Sequence, residues 1–149
     1  MTPMYRNLIF WPVLVMVALT LLVYVRLIKV KIREMKAGRV DMARRGLHED
    51  AWGEAVLQIN NNIRNQFELP VLFYVLAVAF WALDAVSVLV LVAAWLFVVS
   101  RVAHAWVHLT SNDIPNRRRL FTVGWWILAA MVLLAAWTLA GRALVDAGG

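Results

Sequence analysis

Hydrophobic positions in this chain gather into four long runs instead of alternating with polar ones. The first is uncharged from Asn7 to Val25, bounded by Arg6 and Arg26. At about 1.5 Å of rise per residue, such a run nearly crosses a hydrocarbon core of about 30 Å. It predicts a membrane helix over residues 7–28. The run is longer than the roughly 7–15 apolar residues of a cleaved leader and no small-residue cleavage site follows it, so a retained helix is expected. Pro12 falls in its first turns, where a missing N–H does little harm.

The second run, Leu69 to Leu83, is too short to span unaided and must extend backwards. This predicts a helix over residues 52–83 that carries Asn61, Arg64, Asn65 and Glu68. By the same argument the third run, Ala85 to Ser100, extends forward through Arg101, His104 and His108, giving a helix over 85–109. The fourth, Leu120 to Gly141, spans easily. Asp113 or Asn116 can cap its start and Pro115 suits a first turn, which predicts a helix over 117–141. Asp84 alone separates the second and third runs, so these form a tight antiparallel hairpin. In the first loop Gly38 and Gly46 are the expected breakers, and the second helix is expected to start near Ala51. The expectation is a single domain over residues 1–149: an all-α integral membrane protein built as a four-transmembrane-helix bundle.

Composition agrees with this pattern and narrows the chemistry. Apolar residues make up 63% of the chain and charged ones 16%, against the roughly 45–50% apolar content of soluble globular proteins. An ordinary soluble fold is excluded. There is no Cys, hence no disulfide framework, thiolate metal site or cysteine nucleophile, and any thiol chemistry must draw its sulfur from a ligand.

The net charge of +6 is unevenly distributed. Eight of the 15 basic residues lie between Arg26 and Arg45, and Arg117, Arg118 and Arg119 form a second group. By the positive-inside rule the first and third loops face the cytoplasm, and both termini and the Asp84 turn face away. The basic residues border apolar spans and are interspersed with Glu34, Asp41, Glu49, Asp50 and Glu54. Membrane lipid headgroups are therefore the expected partner, and nucleic acid is not, because no basic stripe is interleaved with base-stacking aromatics.

The polar residues inside the spans call for explanation. Asn61, Asn65 and Glu68 recur at i, i+4, i+7 with Arg64 beside them, and Arg101, His104 and His108 recur at i, i+3, i+7. At helical periodicity each set shares one stripe, and the two stripes approach the same level from opposite directions. Ionisable groups at membrane depth cost roughly 2.5–3.5 kcal/mol each on insertion scales, so they are expected to turn inward and to pair or line a wet cavity. A packing role is the alternative, with an Arg64–Glu68 ion pair and the Asn residues joining helices. Seven polar groups exceed that need and suit a zwitterionic ligand. His104 and His108 at i, i+4 make a weak zinc signal without a third ligand, and no metal site is expected. An Arg at the start of the fourth span adds a full charge to the positive end of a helix dipole, a setting that stabilises an anion such as a thiolate.

The motifs Arg64-Asn65-x-x-Glu68 with Pro70 just after, Arg101-x-x-His104 and Pro115-x-Arg117 together resemble the MAPEG family, the membrane-associated proteins of eicosanoid and glutathione metabolism. The likeness covers nearly the whole chain, and phrases such as Asn65-Gln66-Phe67-Glu68 look like its bacterial branch. The resemblance implies a homotrimer, in a bacterial inner membrane, that binds glutathione as co-substrate between subunits near the cytoplasmic side. It implies that Arg64 and Asn65 hold glutathione carboxylates and amides, Glu68 its α-amino group, and Arg117 its thiolate, with His104 lining the site. A transferase or peroxidase acting on a hydrophobic small-molecule electrophile follows. Asn61 stands where several members carry another arginine and His108 where they carry a tyrosine. These two departures favour the alternative of a non-catalytic trimer that binds a lipid or other small anion.

Overall fold

The computed structural model describes residues 5–148, so the ends of the domain expected over 1–149, residues 1–4 and 149, lie outside the described residues. All regular structure among the described residues is helical. A 3-10 turn at Arg6–Ile9 leads into α1 (Phe10–Lys36), and a second at Glu49–Ala51 precedes α2 (Glu54–Gln66). Then follow α3 (Leu69–Ala82), α4 (Val88–Leu109) and α5 (Ile114–Gly148). Four segments are long and apolar enough to cross a membrane: Arg6–Lys36, Glu54–Ala82, Val88–Leu109 and Ile114–Leu144. Their outward faces stay apolar, with Leu14, Leu22, Val75, Val99, Leu133 and Trp137 all exposed. A surface of that kind, on segments long enough to span a bilayer, is stable against lipid or another apolar surface and not against water. The chain is an integral, multi-pass membrane protein.

The first span is longer than residues 7–28 and runs about two turns past residue 28, to Lys36. Arg33 and Lys36 occupy its last turn, where cations favour the helix dipole. It then ends in a Schellman motif. Gly38 adopts φ +67°, its N–H donates to the Met35 carbonyl, and the Arg39 N–H donates to the Glu34 carbonyl.

The second span is two helices where one was expected over 52–83. Pro70 lies at the second position of α3, so it has no N–H for the Gln66 carbonyl and its ring would collide with that carbonyl in a continuous helix. The chain therefore breaks at Phe67 and Glu68.

One end of the bundle is closed by polar contacts. Arg6 pairs with Asp84 at 2.8 Å and stacks over Trp81, while the Trp81 indole N–H donates to Asn7 Oδ1 at 3.1 Å. Arg142 donates to the Leu83 carbonyl. The α1 start, the α3–α4 turn and the α5 end thus meet at one level, as four antiparallel spans require. Asp84 itself takes φ +46° in that turn, and Ser87 caps α4 by accepting from the Val90 N–H. Between the ends lies the core of Met16, Phe73, Phe80, Phe97 and Met131, all buried, with Phe73 stacked on Phe97 at 4.8 Å.

At the opposite end the first loop is pinned by ion pairs. Glu34, only 5% exposed, accepts hydrogen bonds from Nε and one terminal nitrogen of Arg39, each at 2.8 Å. Arg44 grips Asp50, and its hydrogen bond holds the Asp50 carboxyl below the usual carboxylate range. The loop therefore stays ion-paired at neutral pH and loses this contact only as the medium turns acidic.

α4 and α5 approach closely at Gly124. A Cβ there would sit 3.1 Å from Ser100 Oγ and 3.6 Å from Arg101 Cδ. Gly124→Leu is expected to force the helices apart at a cost of about 1–3 kcal/mol, read as a lower melting temperature in detergent. Gly141→Leu, where a Cβ meets nothing within 4 Å, should leave it unchanged. Equal melting temperatures for the two variants would remove the close approach from the account.

Candidate functional site

Three helix segments bring polar groups together at the loop-rich end: the last turn of α2, the second half of α4 and the first turns of α5. α4 contributes Arg101, His104 and His108, whose i, i+3, i+7 spacing turns all three inward; all are buried, Arg101 completely. α5 contributes Arg117. Asp113 caps this helix by accepting from the Asn116 N–H at 3.0 Å, which puts Pro115 and Arg117 in the first turns.

Arg101 donates to the Asn65 carbonyl at 3.1 Å. That carbonyl is one of those left free by the break after Gln66, so the guanidinium caps the negative end of α2. Asn65 Nδ2 in turn lies 3.5 Å from His108 Nδ1. On the other flank, His104 Nδ1 is 3.0 Å from the Arg117 carbonyl. A carbonyl can only accept, so His104 carries its proton on Nδ1 and presents Nε2 as an acceptor. The Arg117 guanidinium is drawn back over the α4–α5 turn by donating to Asn112 Oδ1 at 2.6 Å.

These groups border a cavity of about 410 Å³ lined by Asn65, His104, Ile114, Arg117, Arg118 and Phe121. Binding sites for small molecules typically span roughly 300–1,000 Å³. Arg101 lies over the Phe121 ring at 5.6 Å, so its charge sits just behind the cavity wall. No carboxylate lines the cavity. Nε and one terminal nitrogen of Arg101, Nε of Arg117 and Nε2 of His104 are buried with no partner among the described residues.

The two polar stripes read from the sequence fare differently. The α4 stripe turns inward as expected. The α2 stripe does not: Asn61, Arg64 and Glu68 are exposed, and only Asn65 reaches the cavity. The face of α2 that packs inward carries Val56, Ile59, Asn62, Ile63 and Gln66, one position out of phase with the expected stripe. Nor is there an Arg64–Glu68 pair. Arg64 pairs with Glu49 and donates to Asn61 Oδ1 at 3.2 Å, while the break at Phe67 moves Glu68 off the α2 register.

Sequence reasoning passed over Asn62 and Gln66, which are buried and joined by an i, i+4 hydrogen bond of 3.3 Å. Their signal lies in the i, i+3, i+7 recurrence of Ile59, Asn62 and Gln66. Gln58 was passed over too; its amide donates to the His108 carbonyl at 2.6 Å.

The sequence profile of the MAPEG family matches residues 9–137. The chain belongs to the MAPEG family. Searches of the curated proteins and of the solved structures each return no match. Membership makes this a membrane protein of the family of eicosanoid and glutathione metabolism, and the four apolar spans agree with the MAPEG four-helix bundle. The motif residues Asn65, His104 and Arg117 line one cavity with Arg101 just behind its wall, whereas Arg64 and Glu68 lie on an exposed face of the chain. Among the described residues no group of three or more His, Cys, Asp or Glu could hold a metal ion.

Proposed function

We propose that this MAPEG protein binds glutathione in the cavity beside Arg117 and promotes attack of its thiol on hydrophobic electrophiles or peroxides arriving from the bilayer. The observation that carries the reading is the pair of arginines, Arg117 lining a cavity that no carboxylate lines and Arg101 behind its wall, each with buried N–H groups left unpartnered. Arg101 is fully buried with no carboxylate in ion-pair contact, which is costly, and an anionic ligand nearby offsets part of that cost. The donor set therefore suits a peptide with two carboxylates and an ionisable thiol.

Glutathione would supply the sulfur that a chain without Cys lacks. A free thiol with a pKa near 8.5 is only a few per cent ionised at neutral pH. Arg117, in the first turns of α5, adds its charge to the positive end of the helix and favours the ionised form. Asn65 offers an amide to the peptide backbone, Arg101 stands behind as a cation, and His104 offers an acceptor at Nε2. Asn61, Arg64 and Glu68 on the outer face of α2, and His108 behind Asn65, complete the binding set in a homotrimer. There the neighbouring protomer covers that outer face and Glu68 takes the α-amino group. The basic first and third loops support a cytoplasmic position for the site in a bacterial inner membrane, with both termini on the far side.

One observation favours a second reading, a non-catalytic MAPEG trimer that binds a lipid or another small anion. Arg64 is already engaged by Glu49 and Asn61 within its own protomer. Isothermal titration of the purified protein with glutathione separates the two. Binding at millimolar concentration or tighter is expected, and its absence turns the assignment to the second reading.

A further inference from the structure

A second polar cavity lies away from the Arg117 site, on the other flank of α4. It measures about 250 Å³, and its lining includes Arg26, Lys29 and Arg33 of α1, Gln58 and Ile59 of α2, and Leu109 of α4. We propose that this groove binds the headgroup of an anionic phospholipid, a proposal independent of the glutathione reading.

Charge is the first ground. The three cations recur at i, i+3, i+7 and so share one face of α1. No carboxylate lines the groove. Glu34, the acid nearest in sequence, is buried and held by two nitrogens of Arg39, leaving Arg33 a contact of only 3.5 Å. Lys29 has no ion-pair or hydrogen-bond partner among the described residues. Arg26 is held in position by donating to the Leu109 carbonyl at 3.0 Å. Three cations around one small cavity, of which only Arg33 has even a long contact with a carboxylate, match a phosphate with a net negative headgroup better than a zwitterion, which brings its own ammonium.

Depth is the second ground. Arg26 is the first charged residue after the uncharged run that begins at Asn7, so the groove opens where hydrocarbon gives way to headgroups. One turn toward the apolar side, Leu22 and Val25 are exposed on the flank of α1 that carries Arg26 and Lys29. Trp106, exposed one turn before Leu109, stands at the same level on α4, the position of an interfacial aromatic. A phospholipid with its phosphate in the groove can lay its acyl chains along these side chains. A soluble anion has no use for them. Basic pockets between spans on the positively charged side of membrane proteins hold anionic headgroups by this combination.

The test is native mass spectrometry of the delipidated protein in detergent, titrated with phosphatidylglycerol or phosphatidylcholine. Retention of phosphatidylglycerol at least about tenfold above phosphatidylcholine is expected, since each cation near an anionic headgroup contributes roughly fivefold. Arg26→Gln with Lys29→Gln and Arg33→Gln should abolish the preference. Lys36→Gln with Arg45→Gln and Arg119→Gln, which removes the same charge outside the groove, should keep it. Equal retention of the two lipids, or equal loss in both triple variants, overturns the proposal. Should the groove variant fail to fold, Lys29→Glu alone removes no contact within the protein, and unchanged phosphatidylglycerol retention in it overturns the proposal equally. Inorganic phosphate at millimolar concentration should leave the bound lipid in place. Displacement by phosphate would mark a site for soluble anions and overturn the lipid assignment.

Discussion

Arg117→Ala is expected to lower kcat for glutathione conjugation of a generic electrophile by about 100- to 1,000-fold, the usual effect of deleting one preorganised charge at a reacting atom. The affinity for glutathione should stay within about threefold, because an interaction that favours the thiolate over the thiol acts on the step and little on binding of the whole peptide. The geometry sets up this separation. Arg117 is restrained at both ends, by its carbonyl accepting from His104 Nδ1 and by its guanidinium donating to Asn112 Oδ1. It can keep one position while the rest of the ligand is held by Asn65 and by the charge of Arg101 behind the cavity wall. Arg117→Lys should restore part of the rate, since a cation remains at the start of α5 although the fork to Asn112 is lost. The pH profile provides a readout that a merely structural role would not move. In Arg117→Ala the rate should keep rising into the alkaline range, as an unassisted thiol ionises near pH 8.5. An unchanged rate and profile would remove Arg117 from the mechanism.

The second large effect is expected at Arg101, with opposite signs for stability and binding. This side chain is fully buried, makes one hydrogen bond, to the Asn65 carbonyl, and leaves two nitrogens unpartnered. Burying a charge with no carboxylate in ion-pair contact costs several kcal/mol, more than the roughly 1–3 kcal/mol of leaving the Asn65 carbonyl without its donor. Arg101→Met should therefore raise the melting temperature of the ligand-free protein while weakening glutathione binding by more than about tenfold, the scale of a charge-assisted hydrogen bond at about 1.5–3 kcal/mol. Melting curves with and without glutathione measure both at once. A variant that melts lower and binds normally would show that Arg101 serves the packing of α4 on α2 and not the ligand.

These predictions divide the candidate site along the line between periodicity and tertiary contact. The α4 stripe was legible because Arg101, His104 and His108 interrupt an otherwise apolar helix, so no other face competes for the core. The α2 segment is polar nearly all round: Asn60, Asn61, Asn62, Arg64, Asn65 and Gln66 fall within seven positions. Every helical face there carries polar groups, so composition cannot choose among them. Val56, Ile59 and Ile63 make the choice by packing against Val23 and Leu27 of α1, and they carry Asn62 and Gln66 inward with them. The break at Phe67 and Glu68 was legible in principle from Pro70, yet the length needed to span a bilayer argued for one continuous helix. A break was tolerated because the Arg101 guanidinium from α4 satisfies the freed Asn65 carbonyl.

By itself the sequence determined the solvent of this protein, its four spans, the level at which they turn and the basic bias of its first and third loops. Each follows from local hydropathy and charge, which need no partner to be felt. Which polar groups share a cavity was decided only in the tertiary structure. Asn65, Arg101 and Arg117 come from three helices, and their meeting depends on the phase of α2 against α1 and on the close approach of α5 to α4 at Gly124. Interhelical packing sets both, and hydrophobic periodicity along a single helix carries no record of it.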